Sequence, residues 1–307
     1  MRYFLVCNPG SSSGRGRRKV EDYRSRLERS GADFTCGYTK GLDDAARLAR
    51  SAAASGYGAV VAVGGDGTIN RVLNGLMGMR GPLSPKMGVL YSGTSPDFCR
   101  FHGLPTDPAA AVSVLLEGRA RPIDVCRMEH GDRRGRQAVS YFACSANLGL
   151  GAGIAGRSNR YRAYLGDFLG TLLATVVTVA RARPAAIELI MDGRRLRVDR
   201  AINVTIGKNP HLASGLKLDI DALSDDGRAF VFAVGGLGKL AFLRALPAVY
   251  SGSIARDGRF AVHWAACVRA RCGRADVEAE ADGDPAGLCP VEIRVLPRAV
   301  HLIGARR

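Results

Sequence analysis

No two of the eight cysteines (Cys7, Cys36, Cys99, Cys126, Cys144, Cys267, Cys272 and Cys289) stand in Cys-x-x-Cys spacing, which argues against a zinc site. Several sit in apolar strand-like runs such as YFLVCNP and SYFACSAN, where a thiol behaves as a small hydrophobe. A reducing cytoplasm is the simplest home for them. Long hydrophobic runs are scarce as well. The opening MRYFLVCNPG is too short an apolar run for a signal peptide and reads as a strand. The most apolar stretch, from Tyr164 to Arg183, is interrupted by Asp167, and its uncharged part from Phe168 to Ala180 falls short of the roughly 20 residues a bilayer core requires. A buried or membrane-facing helix, about Asn159 to Arg183, is expected there instead of a span. The phosphate motif Gly-x-x-x-x-Gly-Lys-Ser/Thr is missing, since GGLGKL at 235–240 lacks both the spacing and the hydroxyl. There is no fixed-period repeat and no low-complexity tract.

Acidic residues are few: 28 Asp and Glu face 44 Lys and Arg, for a net charge of +16. That balance points to an anionic partner, whether nucleic acid, an acidic leaflet or a nucleotide. The basic residues show no aromatic interleaving and no zinc or helix-turn-helix pattern accompanies them, so nucleic acid is not expected.

Two textures divide what is present. Over the first 120 residues, strand-like runs (RYFLVCNP, ADFTCGYT, YGAVVAVGG, KMGVLYSGT) alternate with helical patterns (KVEDYRSRLERSG, GLDDAARLARSAAASG, TINRVLNGLMG). Such alternation predicts a parallel sheet with helices on its faces and ligands at the carboxyl ends of its strands. From about Ile123, runs joined by short polar turns predict a mostly antiparallel β domain with the one long helix set in it. Two domains follow, 1–122 and 123–307. Gly151–Gly156, GAGIAG, matches Gly-x-Gly-x-x-Gly, but no acidic residue stands about 20 positions on and no βαβ unit follows, so a flexible loop at the domain interface is expected.

The run VVAVGGDGTINRV is the most informative. Gly64, Gly65 and Gly67 remove the side chains that would hold a phosphate off, and a helix begins directly after them with its positive end toward the same place. Asp66 is a poor neighbour for a bare phosphate. It makes sense if Mg²⁺ lies between them or if the carboxylate orients a hydroxyl.

In order along the chain, NPGSSSGRG (8–16), GGDGTINRVLNGL (64–76) and GVLYSGTSPDFCR (88–100) resemble the diacylglycerol kinase catalytic-domain family, which includes bacterial soluble lipid kinases, sphingosine kinases and ceramide kinases. RPIDV (121–125), NLGLGAGIA (147–155), LKLDIDALSDDGRAFVFAV (216–234) and AEADGDP (279–285) extend the resemblance over nearly the whole chain. It implies an N-terminal Rossmann-like, NAD-kinase-like α/β domain and a C-terminal antiparallel β-sandwich, with ATP in the interdomain cleft. By position, Asn8, Ser13 and Gly14 would meet the phosphates, Gly64, Gly65, Asp66, Gly67 and Thr68 would cradle the nucleotide, Gly93 and Thr94 would close over it, and Asp284 would assist. Asp282 stands where the family places the carboxylate that receives the substrate proton. Asp226, with the carbonyls of Leu223 and Arg228, stands where bacterial members hold a structural Mg²⁺. An Asp-Gly pair between strands is also an ordinary hairpin turn, and that reading of Asp282 stays open.

Departures are visible too. Pro96 replaces the usual asparagine of Gly-Thr-Gly-Asn-Asp and removes a backbone donor, and Asp-Gly-Asp replaces Asp-Gly-Glu. The resemblance implies an ATP- and Mg²⁺-dependent lipid kinase acting on diacylglycerol, or on a sphingoid base or ceramide. NAD kinase, which also carries a GGDGT turn, and a degenerate nucleotide- or lipid-binding protein are the alternatives. The expected partner is a lipid at an anionic membrane surface, met from the cytoplasmic side, and a homodimer is admitted.

Overall fold

The computed structural model describes residues 1–11, 16–41, 43–79, 85–117, 119–132, 134–212, 216–236 and 261–305. The chain divides into two compact units, Met1–Val125 with Pro297–Arg307, and Cys126–Leu296.

The first unit follows the sequence pattern: β1 (Tyr3–Cys7), α1 (Gly16–Arg29), β2 (Phe34–Tyr38), α2 (Asp44–Ala54), β3 (Ala59–Gly64), α3 (Asp66–Met77), β4 (Lys86–Tyr91), α4 (Asp97–His102) and α5 (Pro108–Leu116). The strands are parallel in the order β2-β1-β3-β4. Every residue of β3 is buried, as its unbroken Ala/Val run predicts for a strand covered on both faces. One face is covered by the stripe Val20, Tyr23 and Leu27 of α1 and by Ala111, Val112 and Leu115 of α5, which pack with Ala59, Val61 and Val63. Each large apolar side chain so buried contributes about 1.5–3 kcal/mol. Asp107 caps α5 by accepting the Ala110 N–H at 2.9 Å, with Pro108 at the first helical position. The order in which strands are added reverses between β1 and β3, because β1 leads outward to β2 while β3 lies on its other side. That is the switch point at which open α/β sheets bind ligands.

The second unit is antiparallel. It contains the end of β5 (Ala120–Gly131), β6 (Gln137–Phe142), β7 (Ser145–Gly149), α6 (Leu150–Arg181), β8 (Ala185–Met191), β9 (Arg194–Gly207), β10 (His211–Leu212), β11 (Leu216–Lys217), β12 (Ala229–Gly235), β13 (Val262–Ala265), β14 (Cys267–Cys272), β15 (Glu278–Ala281) and much of β16 (Asp284–Ile303). Two long strands change partners along their length. β9 pairs β8 over 194–201 and β7 over 203–207, while β16 pairs β15 over 284–288 and β14 over 291–294. The circuit β9-β7-β15-β16-β14-β8 therefore closes on itself around a core that includes Phe142, Leu148, Ile187, Leu189, Val204, Ile206, Val268 and Ile293.

The sequence expectations are corrected in five places. The second domain does not run to residue 307: Val300, Leu302 and Ile303 are buried, and Leu302 pairs in parallel with Met87 of β4, so Pro297–Arg307 completes the first unit's sheet. The first boundary likewise falls at 125 and not 122, inside β5, because Ile123 and Val125 are buried with the first unit. The long helix begins at Leu150, not near 159, and is broken at Gly166 (φ 74°, ψ 174°). GAGIAG forms its first turns and is no loop. A Cβ at Gly151 would stand 2.8 Å from Asn147 and one at Gly153 2.9 Å from Arg157 and Thr178, so these glycines serve close packing. Finally, Cys272 and Cys289 form a disulfide and are not thiols, because the β14–β16 register brings them opposite one another two positions beyond the pair Ala270 and Val291.

Candidate functional site

In the first unit, three loops converge at the carboxyl ends of β1, β3 and β4. Gly65 caps α3 in extended backbone, and Asp66 and Gly67 open the helix. Asn8, directly after β1, donates from its backbone to the Val63 carbonyl at 2.9 Å and from Nδ2 to Thr68 Oγ1 at 3.0 Å, while its Oδ1 accepts the Gly10 N–H at 3.1 Å. These bonds tie β1's loop to the turn across the switch point. From the other side, Ser92 N–H donates to the Gly64 carbonyl at 2.9 Å, and Ser11 Oγ lies 2.8 Å from Ser92 Oγ.

Glycine is required here by proximity. A Cβ on Gly93 would stand 2.6 Å from Gly65 Cα and 2.5 Å from the Tyr91 hydroxyl, and one on Gly64 would stand 2.3 Å from Thr68 Oγ1. Beside Gly67 there is room, with Arg71 Nη1 the nearest atom at 3.7 Å. The result is bare backbone at a helix amino terminus, which suits an anion. Thr94 is exposed on the same loop as Gly93.

Asp66 accepts the Asp97 N–H at 3.3 Å, while Asp97 is held by Ser95 Oγ at 3.2 Å and Arg100 Nη1 at 3.1 Å. Burial first, and the charge of Asp66 next, raise both the Tyr91 phenol and the Cys99 thiol above their ordinary values and keep them neutral. Pro96 sits at the cap of α4, and its carbonyl accepts the Arg100 N–H at 2.9 Å. At a cap no intrahelical bond requires the proline nitrogen, so the departure from asparagine leaves this helix intact.

In the second unit, β15 turns into β16 through Asp282 (φ 48°) and Gly283 (φ 84°), the left-handed pair of a two-residue hairpin. The Asp282 carboxylate gathers the break between β6 and β7: Oδ2 accepts the Ala143 N–H at 3.0 Å, and Oδ1 accepts those of Cys144 and Ser145, each at 2.9 Å. Hairpin and acid are thus both present at this residue. Behind it, Glu280 is 3% exposed and accepts from Asn147 Nδ2 at 2.5 Å and from the Gly283 N–H at 2.6 Å. Asn147 Oδ1 accepts in turn from Thr205 at 2.7 Å and Asn203 at 2.9 Å, and Asn203 Oδ1 receives the Gly151 N–H that opens α6 at 2.8 Å. Burial pushes the Glu280 carboxyl up to about 7; the bonds from Asn147 and Gly283 pull it down, and the charges of Asp282 and Asp284 add to the rise. Asp284 begins β16, half-buried.

Residues 2–128 match the family model of the diacylglycerol kinase catalytic domain, and residues 144–304 match that of the YegS C-terminal NAD kinase beta sandwich-like domain. The chain belongs to the diacylglycerol kinase family. By family it is a kinase. A diacylglycerol kinase of Mycobacterium tuberculosis is 28% identical over 302 residues, covering 98% of this chain and 94% of that protein. One from Staphylococcus aureus is 33% identical over 129 residues, 42% of this chain and 40% of its own. In fold, a diacylglycerol kinase from Bacillus anthracis superposes with a TM-score of 0.77 at 22% identity over 99% of this chain and 97% of that one. Yeast NADH kinase complexed with NADH superposes at 0.57 with 12% identity, over 100% and 84%.

Within this diacylglycerol kinase fold the structure brings together Asn8, Gly64, Gly65, Asp66, Gly67, Thr68 and Gly93, with Thr94 beside them. Ser13 and Gly14 lie outside the described residues. The metal ligands implied by the resemblance do not fit a divalent ion, because the Asp226 carboxylate and the Arg228 carbonyl are both engaged by the ammonium of Lys208. Sequence reasoning missed Lys208, Glu280, Asn147, Asn203 and Ser11. Of these, Glu280 carried a signal: a carboxylate at an inward position of a strand, two residues before the acidic turn.

Proposed function

We propose that this kinase transfers the γ-phosphate of ATP, in its Mg²⁺ complex, to the hydroxyl of a lipid, diacylglycerol first and a sphingoid base or ceramide second. The observation that carries this is the Gly64–Thr68 turn, with three glycines at the β1/β3 switch point, locked to Asn8 through Thr68 and closed by Gly93, in a chain of this family. In this reading the first α3 amides and the helix end receive the phosphates, Gly67 leaves them room, and Gly93 and Thr94 cover them. The described residues contain no group of three or more His, Cys, Asp or Glu able to hold an ion alone. Mg²⁺ would arrive on the triphosphate, and Asp66 is the carboxylate that would hold it there. When bound, the ion neutralises charge on the transferring phosphoryl group.

Asp282 is the acid expected to orient the acceptor alcohol. Three N–H donors fix its orientation, and a carboxylate is a weak base for an alcohol, so its contribution is alignment, with the proton leaving late. Asp284 assists from the start of the next strand. No helix of the described residues is long and apolar enough to cross a membrane. Around the break at Gly166, however, α6 exposes Leu165 before it and Leu169, Leu172, Leu173 and Val176 after it, with Arg160, Arg181 and Arg183 also exposed. This stripe is the surface proposed to meet an anionic leaflet, each basic residue adding about 1 kcal/mol.

The test is transfer of label from γ-labelled ATP to diacylglycerol, sphingosine or ceramide in vesicles of neutral or anionic phospholipid, with NAD⁺ as a further acceptor. Labelled phosphatidic acid should dominate and form faster on anionic vesicles, and Asp66→Asn should slow it by roughly 10²-fold. Label on NAD⁺ alone, or on no lipid, would remove the proposal.

A further inference from the structure

The turn after β9, Gly207-Lys208-Asn209-Pro210, holds a lysine with 1% of its side chain exposed. An ammonium taken out of water costs several kcal/mol unless partners surround it. Lys208 has them: Nζ donates to the Asp226 carboxylate and, at 2.7 Å, to the Arg228 carbonyl, and the same Asp226 oxygen accepts the Arg228 N–H at 3.1 Å. These are two of the three groups that the family resemblance assigns to a structural Mg²⁺. A divalent ion needs oxygen ligands near 2.1 Å in octahedral array, and a fixed positive charge already among them repels it.

We propose that Lys208 is a tethered cation that stands in for that ion, so that the packing of Lys208, Asp226 and Arg228 is independent of divalent metal. The lysine's main chain extends the effect toward the acidic turn. Lys208 N–H and Asn209 N–H donate to the Cys144 carbonyl at 2.8 and 3.2 Å, and Cys144 N–H is one of the three that Asp282 holds. Lys208 thus links the two: its side chain is anchored at Asp226 and Arg228, and its main chain holds one side of the segment that the acid grips from the other. Gly207 permits the approach, since a Cβ there would stand 2.7 Å from the Cys144 carbonyl.

The test is thermal unfolding of the full chain without nucleotide or lipid, in EDTA and in millimolar Mg²⁺, so its outcome is independent of the kinase reaction. The two midpoints should agree within about 1 °C, whereas stabilisation by Mg²⁺ of several degrees would mean that an ion binds the folded state and would overturn the proposal. Lys208→Met, which leaves Asp226 unpaired, should lower the midpoint in EDTA by roughly 5–15 °C. Adding Asp226→Asn to that variant should recover part of the loss, or restore folding if the single variant does not fold. A double variant no more stable than Lys208→Met would show that the two charges are not coupled and would also overturn it.

Discussion

At the Gly64–Thr68 turn, three loops meet because Gly65 and Gly93 lack a Cβ; at the Asp282 turn, a strand break is held because one side chain reaches into it. The first is made by omission and is sensitive to volume. The second is made by charge and is sensitive to loss of a carboxylate. Their failure modes should therefore be opposite, even though the proposed reaction needs both.

The largest expected effect is at the second turn. Asp282→Ala removes an acceptor shared by three backbone donors and leaves Ala143, Cys144 and Ser145 to find others, a loss of about 3–5 kcal/mol. The melting midpoint should fall by roughly 6–15 °C, and an unchanged midpoint would show that the carboxylate does not hold the segment.

Next comes the pH dependence of Glu280. A carboxyl whose folded-state pKa is about 7, above its ordinary 4.5, supports the fold fully below pH 4.5, and that support is lost as pH rises through 7. Urea midpoints of the wild type should thus decline from pH 5 to 7.5 relative to Glu280→Gln, by at most about 3 kcal/mol. Burial lowers the pKa of His130, which acts in the opposite sense over part of this window, but it is common to both proteins. Parallel profiles for the two proteins would place Glu280 outside the pH response.

The smallest effect on stability, about 1–3 kcal/mol, is expected at the first turn from Gly93→Ala. Its mark should be on nucleotide binding, weakened at least about tenfold when measured by calorimetry, since the added methyl meets Gly65 Cα and must push the turn aside. Adding Tyr91→Phe should not rescue it, because the Gly65 backbone clash remains at 2.6 Å. Full rescue would locate the conflict at the hydroxyl instead.

What the sequence makes legible is local. The Ala/Val run of β3, the stripe of α1 and the glycine-aspartate turn announce themselves within a few residues, and so do the hairpins of the second unit. Contacts between distant positions are hidden. Lys208 and Asp226 are separated by a small hairpin, β10–β11, and a loop, and a single lysine in an Arg-rich chain gives no sign of burial. Cys272 and Cys289 meet only through strand register. Gly151 and Gly153 mislead for a different reason: glycine reads as freedom, whereas here it is chosen so that the first turns of α6 can lie against Asn147 and against Thr178 in the helix's own second segment.

The return of Val300–Ile303 to the sheet of the first unit has a consequence for biogenesis. On the ribosome, residues 126–296 have all been made before the stretch that pairs with Met87 emerges, so the β-rich unit can finish folding while its α/β neighbour still waits for a strand. The part of the polypeptide synthesised first is thus among the last to be sealed, and until then its open edge is the surface a chaperone would need to guard.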